Sequence, residues 1–176
     1  MQMTVQRHKT RKVVLMTLLG VLVFIPKLIL PTPLDKILII AQALVLSLAS
    51  ILIGRLGATY TAFIGGLLTT IIRPVFFPLT LLFAVVYGLL IDGSFLLLRV
   101  KSSSGIRHRR LVLSTIISTA LVGLSSYYFT VYAIKILPRS LVMEFIIMVA
   151  GILGGAAGGW LATILLRKGL ERYADT

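Results

Sequence analysis

A chain of 176 residues that is 58% hydrophobic and only 13% charged, with a mean hydropathy of +1.04, lies outside the soluble class, whose domains are about half apolar and a quarter charged. Its polar surface is too small to face water all round, which predicts an integral membrane protein with room for about six spans of ~20 residues and no separate soluble domain. The net charge of +13 would suggest nucleic acid on a soluble chain; here it reads as a topology signal, and nucleic acid is not expected as a partner. With no cysteine in the sequence, disulfides, thiolate metal sites and cysteine nucleophiles are excluded.

The first apolar run, over 13–30, follows a basic tail over 1–12 and closes on Pro31-Thr32-Pro33. No A-x-A-like site follows it, which argues against a cleavable leader. The second run, 37–53, ends at Gly54-Arg55-Leu56-Gly57, and the third, 58–72, at Arg73-Pro74. The fourth, 75–98, gives way to a polar stretch from Arg99 to Arg110. A fifth covers 111–134, and a sixth, 141–166, leads into a basic tail over 167–176. Turn residues or charges mark every break, and continuous rather than alternating runs indicate helices, not a barrel. The predicted fold is all-α: a polytopic membrane protein, a six-transmembrane-helix bundle forming one domain over 1–176, with the third span the shortest.

Thirteen of the 18 Lys and Arg fall on the side that the two tails, the 54–57 turn and the 99–110 stretch share; Lys27, Lys36, Arg73, Lys135 and Arg139 fall on the other. The positive-inside rule then puts both termini in the cytoplasm of a multi-pass protein of the plasma membrane. The basic excess also attracts anionic lipid.

Polar groups at membrane depth are costly unless they find partners, so each of the few present carries information. Asp35, beside Lys36, reads as a helix cap or surface ion pair at the start of the second span. Asp92 stands alone in its half of the membrane and reads as a structural partner for Arg55 or a basic residue of the 99–110 stretch, not as a coupling acid. Glu144, one turn into the sixth span, pairs with Arg139 or joins a pocket. Ser125, Ser126, Tyr127, Tyr128 and Tyr132 occupy the outer part of the fifth span, where Tyr128 and Tyr132 share a face at i, i+4. Arg73, Phe76, Phe77 and the lone amide Gln42 fall at a similar depth. An interfacial aromatic belt also places tyrosines there. Stacking faces, hydroxyls, an amide, a cation and an anion together favour a pocket for a small polar aromatic ligand. Its candidate residues are Tyr128, Tyr132, Glu144, Arg73, Gln42 and Ser125.

On the sixth span Gly151, Gly155 and Gly159 form one small-residue row, and Gly154 and Gly158 a second. Such rows let helices approach backbone to backbone, here chiefly within the fold. Ala58, Ala62 and Gly66 repeat the device on the third span and are the candidate docking row for a partner subunit. There is no G-x-x-x-x-G-K-[ST] loop, no H-E-x-x-H, no G-x-S-x-G and no cluster of acids for a metal or an acid–base pair. The expectation is a protein without enzymatic activity, metal or cofactor.

This arrangement resembles the substrate-binding S component of energy-coupling factor (ECF) vitamin transporters. The resemblance is carried by Gly54-Arg55-Leu56-Gly57-Ala58, by Gly65-Gly66-Leu67-Leu68, by Phe77-Pro78 and by Tyr87 to Gly93. The glycine-rich last span and its exit through Arg167-Lys168-Gly169-Leu170 complete it. It implies a six-helix subunit that captures a vitamin or vitamin precursor near the outer surface. A transmembrane coupling subunit and two cytoplasmic ATPases supply the energy, and the subunit topples to carry its pocket inward. The family's coupling face bears an A-x-x-x-A pattern on the first span; here Thr17 and Gly20 stand near that place, and Ala58, Ala62 and Gly66 are the substitute. Stacking tyrosines with one acid suit a cationic or amino-bearing heterocycle such as thiamine or its pyrimidine precursor. The alternatives are a small non-transporting membrane scaffold and, behind it, a secondary transporter, which would be expected to show acids at mid-depth.

Overall fold

A computed structural model describes residues 2–29, 38–72, 74, 77–102, 105–135 and 138–170. Asp35, Lys36, Arg73, Phe76 and the Pro31-Thr32-Pro33 break lie outside them. The structure is all-α apart from one minimal hairpin. Its helices are α1 (Gln2–Ile29), α2 (Ile39–Ile53), α3 (Gly57–Ile72), α4 (Leu79–Leu97), α5 (His108–Phe129) and α6 (Leu141–Leu165). The strands β1 (Lys101–Ser102) and β2 (Gly105–Ile106) pair antiparallel between α4 and α5.

Among the described residues, three segments are long and apolar enough to cross a membrane: Leu79–Leu97, His108–Ile134 and Leu141–Lys168. The apolar helices α2 and α3 have 15 and 16 residues, which at 1.5 Å per residue gives about 23 and 24 Å, short of a ~30 Å hydrocarbon core. Among the described helices α2, not α3, is the shortest.

Helix ends depart from the predicted runs for local reasons. Helix α1 begins inside the expected basic tail, since Gln, Met, Arg and Lys between Gln2 and Lys12 are good helix formers and no Gly or Pro interrupts them. Helix α4 starts later than expected, with Pro78 at its N-cap position; a proline disfavours helical geometry in the residue before it. At its far end α5 widens into a π-helical turn, Thr130–Ile134, and stops at Lys135 in the left-handed region. Helix α6 likewise ends in a π turn, Leu166–Leu170, which takes up the start of the second basic tail.

Around the bundle the helices follow one another in the order α1, α3, α4, α5, α6, α2, and α2 also reaches α3, α4 and α5. Close approach is possible because glycines face backbone. A Cβ on Gly155 would stand 2.7 Å from the Cα of Ile116 on α5, and one on Gly151 2.9 Å from that of Ala120. On the adjoining row, a Cβ on Gly158 would lie 2.6 Å from Ala43 Cβ and 2.8 Å from the Ile40 carbonyl oxygen of α2. Both glycine rows of α6 are therefore used inside the fold. The same holds for Ala58, Ala62 and Gly66, expected as a docking row. All three are buried, and Gly66 and Ala58 face Ala84 and Gly88 of α4, so this row offers no outward surface. Gly20 is likewise packed on Thr61 and Ile64 of α3, whereas Thr17 is exposed and donates to the Val13 carbonyl.

The half of the bundle that carries the α2–α3 turn and the hairpin is held by buried polar groups. Asp92 of α4 is buried, but its partner is not the guanidinium expected for it. One carboxylate oxygen accepts the Thr59 amide at 2.8 Å and the Thr59 hydroxyl at 2.7 Å, and the other accepts the Ala58 amide at 3.3 Å. An N-terminal turn leaves amides without intrahelical acceptors; here a neighbouring helix supplies the cap that the Gly54-Arg55-Leu56 turn does not.

One face of α5 forms a hydroxyl seam with α2 and α4. Thr115 and Thr119 donate to the carbonyls of Leu111 and Thr115. A hydroxyl has one proton, so Ser47 of α2 is the donor to Thr115 at 3.1 Å and Tyr87 of α4 the donor to Thr119 at 2.8 Å. Ser118 donates to the Leu90 carbonyl and lies 2.8 Å from the Ser94 hydroxyl.

Candidate functional site

A cavity of about 690 Å³ opens at the opposite half, between α1, α2, α3, α4 and α5. Its apolar walls include Val23 of α1, Leu46 of α2 and Phe83 of α4, with Phe77 just ahead of α4. Its polar groups are Gln42 of α2, Thr80 and Tyr87 of α4, and Ser126 and Thr130 of α5. The small residues Ala62, Gly66, Ala84 and Gly123 leave the volume unfilled. Phe83 meets Phe129 edge-on at 5.5 Å between centroids, a ring pair that holds α4 and α5 apart at this end. Tyr87 forms the floor, its hydroxyl tied to Thr119.

The hydrogen-bonding capacity that remains inside is uneven. Thr130 donates to the Ser126 carbonyl at 2.8 Å. Gln42, half-buried, has no side-chain partner among the described residues. An amide in an apolar wall carries two donors and an acceptor, so Gln42 is free to orient a ligand, as is the Ser126 hydroxyl, which likewise has no partner among the described residues. None of the described lining residues is charged. An uncharged wall of aromatic and aliphatic groups with few convergent polar ones is the common composition of small-molecule pockets.

Of the predicted site residues that are described, only Gln42 lines this cavity. Tyr128 and Tyr132 stack on each other, centroids 6.1 Å apart and planes 22° from parallel, but on the outer face of α5, where they are 37% and 57% exposed. Ser125 is exposed on that same face. Glu144 accepts from Arg139 Nε at 3.3 Å, and this hydrogen bond holds the Arg139 guanidinium above its ordinary pKa. Glu144 therefore takes the ion-pair alternative. Arg73 lies outside the described residues. The aromatic–acidic cluster and the cavity are two separate features, back to back across α5.

Sequence reasoning named Ser126 within the polar cluster but not among the candidate site residues, and missed Thr130, Phe83 and Tyr87 as cavity walls. The signal was a spacing of four along α5 and its π turn: Ser114, Ser118, Val122, Ser126 and Thr130 form one ridge inclined to the helix axis, and the large tyrosines on another face outweighed it. Tyr127 has a different task. Its hydroxyl accepts the Ser140 amide at 2.9 Å and donates to the Ser140 carbonyl at 3.2 Å, fixing the start of α6 against α5. Compared with models of known families, with curated proteins and with solved structures, the chain matches none.

Proposed function

We propose that this chain is a membrane-embedded solute-capture subunit. Six helices cross the plasma membrane, both termini are cytoplasmic, and a small water-soluble vitamin or vitamin precursor binds in the cavity between α1 and α5. The observation that carries this reading is the 690 Å³ hollow with a single partnerless amide, Gln42, in its wall. Its volume falls in the range of about 300–1,000 Å³ usual for small-molecule sites. The basic half, with Arg55, Arg99 and the hairpin, is the cytoplasmic one by the positive-inside rule, so the hollow faces out. The uncharged wall selects a neutral heterocycle that hydrogen-bonds with an amide, in place of the cationic one that Glu144 suggested, since Glu144 is taken by Arg139. Uptake is driven by separate coupling and ATPase subunits, as in the ECF systems that the sequence resembles, and the chain itself performs no chemistry.

Titration calorimetry of the purified protein against a panel of vitamins and their precursors tests this reading. At least one neutral heterocycle binds. Ser126→Phe, which fills the hollow, abolishes binding, and Gln42→Leu weakens it at least about tenfold, the equivalent of one hydrogen bond to an otherwise unpaired group. Tyr128→Ala and Glu144→Gln leave it unchanged. A folded protein that binds nothing in the panel, or one whose affinity falls with Tyr128→Ala and not with Ser126→Phe, overturns the proposal.

A further inference from the structure

A second cavity, of about 380 Å³, lies at the basic end, between the α2–α3 turn and the junction of α4 with the hairpin. Among the described residues, three cations, Arg55, Arg99 and Lys101, line it together with a single acid, Asp92. The acid is already engaged: both of its oxygens accept from α3, so it does not compete for the cations. The Ser50 hydroxyl, also in the wall, has no partner among the described residues.

The backbone around this cleft is held in conformations that side chains seldom adopt. Leu56 and Arg99 have φ of 61° and 47°, and Gly54 has 92°; all three line the cleft. Non-glycine residues persist in the left-handed region only where their surroundings enforce it, and such positions cluster at binding sites. The enforcement is visible here. Val100 is buried, its amide donates to the Phe95 carbonyl, and its carbonyl accepts the Arg107 amide. Arg110 Nη1 donates to the Leu98 carbonyl at 3.0 Å. Arg99 and Lys101 thus leave a fixed segment and line the same cleft as Arg55.

We infer that this cleft is a specific site for a phosphate-bearing anion, the headgroup of an anionic phospholipid. Clustered guanidinium and ammonium groups match phosphate oxygens in charge and hydrogen-bonding geometry, and basic pockets between membrane helices are suited to acidic headgroups. The lipid is favoured over a free anion by what stands beside the cations. Leu56 and Leu96, in the cleft wall, are 43% and 63% exposed, an apolar surface that acyl chains cover and inorganic phosphate does not. The inference is independent of what the first cavity binds.

The test is native mass spectrometry of the detergent-purified protein titrated with phosphatidylglycerol, phosphatidylcholine or inorganic phosphate. Phosphatidylglycerol is retained at one tight site and phosphatidylcholine is not. The triple variant Arg55→Gln, Arg99→Gln, Lys101→Gln binds it roughly a hundredfold more weakly, from the loss of three cations at a lipid surface. The charge-matched triple Arg109→Gln, Arg167→Gln, Lys168→Gln, which removes exposed cations outside the cleft, retains it. Arg99→Gly guards against misfolding, because glycine relieves the left-handed backbone there while the charge is lost; it folds and binds the lipid more weakly. Equal losses in the two triples, equal retention of phosphatidylcholine, or saturation by inorganic phosphate with no lipid retained would each overturn the proposal.

Discussion

From Ser114 to Thr130 one inclined ridge of α5 and its π turn carries a small, β-branched or hydroxylated residue at every fourth position, yet its two halves meet α4 differently. Toward the hairpin, Ser114 and Ser118 face Ser94 and the Leu90 carbonyl at hydrogen-bonding distance, with no exposed area. Toward the opposite end, Val122, Ser126 and Thr130 face a hollow. The difference lies in the opposing helix. In the closed half, α4 offers the small Ser94, whose hydroxyl lies 2.8 Å from that of Ser118. In the open half it offers Phe83, braced on Phe129. In hydrocarbon no water is driven out between helices, so contact is decided by close packing and by polar groups that reach one another. A row of hydroxyls closes a helix pair only where the partner is small enough to come within reach.

The sharpest way to break this contrast is to make one substitution in each half. Gly88→Ala places a methyl against backbone that cannot yield and lowers the unfolding free energy by about 3 kcal/mol, at the upper end of ordinary overpacking. Gly123→Ala, in the cavity wall, meets the Ile147 Cγ2 at 3.2 Å and its carbonyl oxygen at 4.0 Å and changes it by less than about 0.5 kcal/mol. Denaturation in mixed micelles, read by circular dichroism, measures both. Equal effects would mean that the backbone contact of α4 with α3 in the closed half is no tighter than the cavity wall at Gly123.

Next in size is Asp92→Ala. It strands two amides of α3 and costs about 2 kcal/mol, the range of a lost helix cap. Hydrogen exchange at Ala58 and Thr59 then accelerates, while exchange at Ser126 does not. Thr61→Val acts in the other direction. The Thr61 hydroxyl is fully buried with no partner among the described residues, and removing it raises stability by about 1 kcal/mol. The smallest effect is the coupling between Ser94 and Ser118. A double-mutant cycle through Ser94→Ala and Ser118→Ala gives about 0.6 kcal/mol, the average for such pairs inside membranes.

The limits of the apolar runs were legible in the sequence because glycine, proline and charge interrupt them at nearly every turn: Gly54 to Gly57 separates α2 from α3, and Pro138 to Ser140 precedes α6. The extent of α1 was not, because the arginines and lysines that mark a tail by charge also favour helix. For the site, depth was legible and azimuth was not. Gln42, Ser126 and Tyr128 were all assigned to one end of the bundle. Which of them face inward depends on the direction in which α5 turns against α4, and Ser125 and Tyr128 lie on a face that only the packed bundle distinguishes from Ser126. The glycine rows of α6 showed that close contacts exist without showing with whom; α5 takes one and α2 the other.

The carboxylate that closes the start of the third helix sits 34 residues further along the chain than the first amide it receives. A nascent polypeptide made only as far as Ile72 therefore has a third segment whose opening amides must stay hydrated, and arrival of the fourth segment releases them from water. Order of synthesis and order of completion differ in this protein: the hairpin made by the second and third segments is finished by the one that comes after it.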